Sequence, residues 1–212
     1  MNEETDIQHI LDWLEERRAA YPVTTCEVGV KECPGWQVNE ETGNITHETG
    51  KFFSIIGVKV SGAADREIPS WSQPMLEQKE LGISGVIKQK RGGIDHYLFY
   101  AKFEPGNVNT LQISPALQVS EGNLSVAHKG KRPRLVEYFD GTKGRVIEAV
   151  TGVEDGGRFY QKVNRSMIVE VDESEEVPIT EDYMWLTLPQ IKRLLRVDVT
   201  MNSLARNVCA LL

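Results

Sequence analysis

Apolar side chains recur at helical spacing only near the two ends of the chain. Ile7, Ile10, Leu11 and Leu14 fall three and four residues apart, with Glu15, Glu16, Arg17 and Arg18 outside that stripe. The pattern predicts a first helix that Pro22 closes. Near the other end, Thr187 precedes Leu188-Pro189, a capping residue ahead of a proline in the first turn, and Ile191, Leu194 and Leu195 carry the stripe onward. A last helix presents Leu204, Ala205, Val208 and Leu211 on one side. Between these ends the period changes to that of strands. Phe52–Val60, Gly85–Lys90, His96–Phe103, Thr110–Val119, Arg145–Val150 and Ser166–Val171 are rich in β-branched or aromatic residues and separated by glycine-bearing breaks. Gly92-Gly93 between two such runs signals a hairpin. Met75–Leu81, after Gln73-Pro74, reads as a short helix. The expected architecture is a single α+β domain over residues 22–212, with a mixed, largely antiparallel sheet flanked by helices. Residues 1–21 form an N-terminal helix that serves as a docking or dimer element.

Composition narrows the function classes. The chain has 212 residues, with 31 acidic and 24 basic side chains giving a net charge of −7, which argues against a nucleic-acid-binding surface. No apolar run approaches the roughly 20 residues of a membrane-spanning helix, and the acidic start is unlike a secretory signal. Cys26, Cys33 and Cys209 are an odd number with no zinc spacing, so reduced thiols and a cytoplasmic setting are expected. No pattern of His, Asp or Glu suggests a metal site.

The most informative stretch is His96 to Glu104. Alternation places Tyr97, Phe99, Ala101 and Phe103 on one face, the natural core side, and His96, Leu98, Tyr100, Lys102 and Glu104 on the other. A histidine, a tyrosine, a lysine and a carboxylate in line can line a pocket for proton transfer, or form a solvent face of cross-strand ion pairs. Glu104-Pro105-Gly106-Asn107 follows as a turn, with Asn107 offering a donor and an acceptor. In Glu154-Asp155-Gly156-Gly157-Arg158-Phe159-Tyr160, the glycines let backbone amides approach a ligand and Arg158 suits a phosphate, although a plain glycine hairpin fits equally. Trp71, Gln73 and Gln118 sit near prolines at strand ends and can stack on, or hydrogen-bond to, a base or sugar. His47 and His128 lie in glycine-bearing loops.

Larger segments recur in a fixed order. His47-Glu48-Thr49-Gly50-Lys51-Phe52-Phe53 is followed by Ile56-Gly57-Val58-Lys59-Val60, Arg66-Glu67-Ile68 and Trp71-Ser72-Gln73-Pro74. Then come His96 to Asn107, Ser114-Pro115-Ala116-Leu117-Gln118, Gly157-Arg158-Phe159, Asn164-Arg165, Met167-Ile168-Val169, Trp185-Leu186-Thr187-Leu188 and Met201-Asn202. In order and spacing they resemble the NDP-hexose 2,3-dehydratase family, from about Trp36 to Leu212. The resemblance implies a Nudix-like fold without the metal-binding box, no cofactor, and a nucleotide-linked 4-keto-6-deoxyhexose as substrate in antibiotic deoxysugar biosynthesis. It also implies a homodimer, because family members usually carry two such units in tandem. Glu104 or Glu154 is then the expected base, His47 or His96 the acid, and Lys102 a donor to the enolate oxygen. Gly156, Gly157 and Arg158 suit the diphosphate, and Trp71, Gln118 and Asn123 the base or sugar. Gln73, Tyr100, Asn107, His128 and Tyr160 complete the expected binding set. The same residues also fit a lyase or isomerase acting on another small carbonyl compound, or a ligand-binding module.

Overall fold

The computed structural model describes residues 6–120 and 133–212. In chain order the strands are β1 (Trp36–Val38), β2 (Ile45–His47), β3 (Ser54–Val60), β4 (Trp71–Glu77), β5 (Gly82–Arg91), β6 (Ile94–Phe103), β7 (Leu111–Pro115), β8 (Leu117–Ser120), β9 (Arg145–Val153), β10 (Phe159–Tyr160), β11 (Val163–Val171) and β12 (Tyr183–Thr187). The helices are α1 (Gln8–Ala20), α2 (Val136–Phe139), α3 (Leu188–Leu194) and α4 (Ser203–Cys209). They form two compact units, one of Met1–Thr25, Gly82–Thr151 and Arg165–Leu212, the other of Cys26–Leu81 and Gly152–Asn164.

The first unit holds a seven-stranded sheet in the order β12-β6-β5-β11-β9, with β7 alongside β6 and β8 alongside β5. Strand β6 is covered on both sides, as its alternation demands. Tyr97, Phe99 and Ala101 join Val86, Ile113 and Ile168 in a cluster with Ile10, Trp13 and Leu14 of α1, Ile191 and Leu194 of α3, and Ala205 and Val208 of α4. On the opposite face Leu98 packs with Ile83, Ile87, Leu117, Tyr138, Phe139 and Val169. The first helix is thus docked on its own chain, where the Trp13 indole donates to the Glu181 carbonyl at 2.8 Å and the Arg18 guanidinium to the Leu111 carbonyl at 2.9 and 3.0 Å. Thr187 caps α3 as the sequence suggests, in a reciprocal box with Gln190. Gly92 and Gly93 both have positive φ, the geometry of the two-residue turn joining β5 to β6.

The second unit is a five-stranded sheet, β1-β2-β3-β4-β10, antiparallel except for the parallel pairing of β10 with β4. None of the fully buried hydrophobic residues among those described belongs to it. Its apolar contacts are rings packed near the surface, Trp36 against His47, Phe52 and Phe53. Where a short helix is expected over Met75–Leu81, Met75–Glu77 instead complete strand β4, paired with β3 from Trp71 to Glu77, and residues 78–81 form neither helix nor strand. Met, Leu, Glu, Gln and Lys favour helices locally, but seven successive pairings to β3 settle the conformation. No helix among the described residues is long and apolar enough to cross a membrane.

Gly85 is closely packed in the first unit. A Cβ there would collide with the Phe139 ring and stand 3.1 Å from the Met167 carbonyl. Gly85→Ala is expected to destabilise the protein by about 1–3 kcal/mol, measured as a lowered urea midpoint.

Candidate active site

The site originates in a parting of strands. β5 and β6 pair only beside their turn, from Arg91↔Ile94 to Lys88↔Tyr97. Beyond it each takes another partner. β6 pairs with β7 from Phe99↔Pro115 to Phe103↔Leu111, and β5 pairs with β8 from Gly85↔Leu117 to Gly82↔Ser120. The corner Pro115-Ala116-Leu117 fills the fork, and proline suits it because its position needs no ladder N–H.

Polar side chains from four elements meet there. Glu104 follows the last residue of β6. Its Oε1 accepts from Gln118 Nε2 at 2.8 Å and lies 3.5 Å from Lys102 Nζ, while its Oε2 accepts from Asn202 Nδ2 at 3.2 Å. The Gln118 carbonyl oxygen accepts from the Ser114 hydroxyl at 3.1 Å and from Asn202 Nδ2 at 3.4 Å. Ser84 stands directly opposite Gln118 in the β5–β8 register, and its buried hydroxyl has no hydrogen-bond partner among the described residues. The turn that delivers Glu104 is held by Asn107. Its backbone N–H donates to the Glu104 carbonyl at 2.9 Å, and its amide to the carbonyls of Lys102 and Thr110 at 3.0 and 3.2 Å.

Lys102 and Gln118 face a cleft of about 190 Å³, lined also by Tyr100, Pro115, Arg134 and Tyr183. Burial pushes the Lys102 amine below its ordinary range, and the neighbouring Glu104 carboxylate opposes that shift. Burial also raises the phenols. Tyr183 is pushed up to about 12, and Tyr100, whose ring centroid lies 4.7 Å from that of Tyr183, is raised as well. At neutral pH both phenols keep their protons, so the cleft offers two hydroxyl donors beside the Lys102 amine, whose ion-pair partner is Glu104 at 3.5 Å. A larger trough of about 640 Å³ runs past Lys88, Asp95, Arg145 and Glu170. There the charges pair with one another, Lys88 with Asp95 at 3.0 Å and with Glu170 at 3.3 Å, and Arg145 with Glu170. The cleft at Lys102 is therefore the better candidate.

Of the residues singled out in the sequence, Tyr100, Lys102, Glu104 and Gln118 converge here, and Asn107 supports them through the backbone. His96 shares their strand face but stands six residues away, about 20 Å along β6, with the buried Leu98 between. Its Nδ1 is 3.0 Å from the Ile94 carbonyl. The remaining described candidates belong to the second unit. His47 is wedged between Trp36 and Phe52, with Nδ1 2.9 Å from the Thr49 hydroxyl. The Trp71 indole donates to Gln73, whose amide donates to the Gly157 carbonyl, each at 2.8 Å, so both side chains tie strand β4 to the glycine loop. Asp155 accepts from the Gly157 amide at 2.9 Å and from Arg158 at 2.7 Å, and these bonds, the amide first, hold its carboxyl below the usual range. Gly156 is in the same exposed loop, Tyr160 pairs with Glu77 in register, and Glu154 accepts from the Asn164 amide. Asn123 and His128 lie outside the described residues.

Asn202, like Ser84, Ser114, Arg134 and Tyr183, is not singled out as a site residue by the sequence. An asparagine just ahead of the Leu204–Leu211 stripe signals a helix cap, and it does cap α4, accepting from the Ala205 N–H at 2.8 Å. Its second bond, to a residue 98 positions earlier, leaves no local signal.

Residues 7–212 match the model of the family described as NDP-hexose 2,3-dehydratase. The chain belongs to that family. Relatives described as dTDP-4-dehydro-6-deoxy-alpha-D-glucopyranose 2,3-dehydratases include one from Saccharopolyspora spinosa, 42% identical over 200 residues, and one from Amycolatopsis orientalis, 38% identical over 205. These alignments take in 92% and 94% of this chain but 40% and 43% of the relatives, so the chain spans less than half their length. A third, from Streptomyces violaceoruber, is 36% identical over 97% of this chain and 46% of its own. Solved structures match at greater distance. A crystal structure of an ADP compounds hydrolase gives a TM-score of 0.46 at 10% identity, covering 75% of this chain and 83% of that one. A Nudix hydrolase from M. smegmatis gives 0.36 at 13%, covering 73% and 97%.

The raised phenols make this NDP-hexose 2,3-dehydratase family member sensitive to alkali. A phenol whose pKa is higher folded than unfolded stabilises the fold below the unfolded value, and that contribution is lost as the pH rises through the folded one. Stability is therefore expected to fall between pH 10 and about pH 12. Urea midpoints across that range should fall less steeply in Tyr183→Phe.

Proposed function

We propose that this chain is a cofactor-independent carbon–oxygen lyase, removing water across C2 and C3 of a nucleotide-linked 4-keto-6-deoxyhexose. The observation that carries the reading is the Lys102–Glu104 pair, 3.5 Å apart, with Lys102 and Gln118 lining the cleft and Glu104 held beside them by Gln118 and Asn202, in a chain of this family. The relatives' descriptions supply the substrate class, a thymidine-diphosphate 4-keto-6-deoxyglucose.

The C4 ketone acidifies the hydrogen on C3. In this reading Glu104 takes that proton, and the C3–H electrons move into a C3–C4 double bond as the carbonyl oxygen becomes an enolate. Lys102 Nζ, a hydrogen-bond donor in either protonation state, stabilises that oxygen. The enolate then re-forms the ketone, a C2–C3 double bond appears, and the C2 hydroxyl departs as water with a proton from Tyr100 or Tyr183. The resulting enol relaxes to the 3,4-diketo-2,6-dideoxy sugar. Tyrosines replace the histidine expected as acid because they, and no histidine among the described residues, line the cleft. Arg134, exposed at its edge, suits the diphosphate. The proposal extends to a pair of copies in solution and to a cytoplasmic place in antibiotic deoxysugar biosynthesis. The pair and the pathway follow from the family resemblance, the cytoplasmic setting from the cysteine pattern, and the pair is tested by particle mass from light scattering.

Incubation with the thymidine-diphosphate 4-keto-6-deoxyglucose in deuterated water, with a ketoreductase to trap the diketone, tests the reaction. Dehydration is expected. Glu104→Gln should lower kcat by about 10²- to 10⁴-fold and Lys102→Met by about 10²- to 10³-fold. A loss of that size in Glu154→Gln, with Glu104→Gln fully active, would move the base to the second unit. Failure of the wild type to dehydrate or to exchange deuterium at C3 would overturn the reading. Thermal stabilisation by thymidine diphosphate in that case would leave a ligand-binding module.

A further inference from the structure

We propose that Asn202 is a positioning residue for Glu104, acting on the carboxylate through the side chain that caps α4. The inference rests on the reading of Glu104 as the base and names a residue that the reaction itself does not require to touch substrate.

Asn202 is buried, so both ends of its amide need partners. The Ala205 N–H can only donate, at 2.8 Å, and this fixes the oxygen toward the helix and the nitrogen toward Glu104 Oε2 and Gln118 Oε1. The Gln118 amide is oriented by the same logic, because its oxygen receives the Ser114 hydroxyl and its nitrogen donates to Glu104. The backbone of Asn202 is held as well. Its N–H donates to the Ile113 carbonyl at 3.0 Å, and the Ile113 N–H donates to the Thr200 carbonyl at 2.8 Å. The residue is thus locked to β7 on one side and to α4 on the other, leaving its Nδ2 pointed at a fixed place.

Glu104 needs such an anchor. It stands past the end of β6, where no ladder bond holds its side chain, and its Oε1 alone is engaged by Gln118 and Lys102. One engaged oxygen leaves the carboxylate free to turn about that contact. A donor on Oε2 stops the turn, and a general base must be held in line with the proton it removes.

Cap and donor can be separated by substitution. Serine and aspartate both cap helices well, yet neither offers the amide N–H₂. Asn202→Ser keeps the cap and is too short to reach Glu104. Asn202→Asp keeps cap and size but sets a carboxylate against a carboxylate. The expected result for Asn202→Ser is a melting temperature close to that of wild type, a kcat reduced about tenfold or more with KM little changed, and a Glu104 carboxylate rotated about its Gln118 contact in its crystal structure. Asn202→Asp should lose more kcat, and it carries the same test if the serine variant does not fold.

Wild-type kcat in Asn202→Ser would overturn the inference. So would a reduced kcat with Glu104 still in its wild-type position. A wild type without dehydratase activity overturns the proposed function instead, and the position of Glu104 in the variant crystal then decides the positioning role alone.

Discussion

Two antiparallel strands that separate must find new partners for every backbone N–H and C=O they expose, and this requirement shapes the first unit. After Lys88 and Tyr97, β5 and β6 stop pairing, and the β7–β8 corner enters between them to take up both edges. The fork cannot close on apolar side chains alone, because the corner that fills it brings Ser114 and Gln118 inward within 3.1 Å of each other. Those groups demand partners in turn, and Glu104 and Asn202 are the ones that the ends of β6 and α4 supply. The polar centre is thus a consequence of how the sheet divides, with the strands themselves buried on both faces.

Placing a lysine and a carboxylate in such a fork is costly unless each compensates the other. Burial drives the Lys102 amine toward its neutral form, and Glu104 at 3.5 Å opposes that drive. The two phenols respond in the opposite sense. Their neutral form is the protonated one, so the burial that weakens the proton's hold on Lys102 strengthens it on Tyr100 and Tyr183. The same burial therefore shifts the amine and the phenols of one cleft in opposite directions.

The strand alternation from His96 to Glu104 was legible because period two holds whether a face is buried or exposed. Its two sets of side chains do divide between the two sides of the sheet. The terminal helices and the Gly92-Gly93 turn were legible for the same reason, each being encoded within a few residues. The Met75–Leu81 segment reads as a helix because its local preference opposes its pairing with β3, and pairing is not written in the segment. His96 was grouped with Lys102 by face alone, although translation along a strand separates residues as surely as the pleat does. Trp71, Gln73 and Arg158 were sound candidates by residue type. In this structure Trp71 donates to Gln73, Gln73 to the Gly157 carbonyl and Arg158 to Asp155, contacts that lie outside the cleft at Lys102.

Asn202 shows why part of such a site lies beyond local reading. Serine, threonine, aspartate and asparagine all cap helices through an oxygen, so the cap alone accounts for any of them. Asparagine is the member of that set whose side chain also donates through nitrogen. Where the cap faces only solvent, that donor is idle and the choice among the four is nearly free. Where the cap faces a carboxylate, as α4 does toward Glu104, serine and threonine fall short and aspartate repels. The residue type is then set by a partner 98 positions away, through a fold that has to exist before the constraint can act.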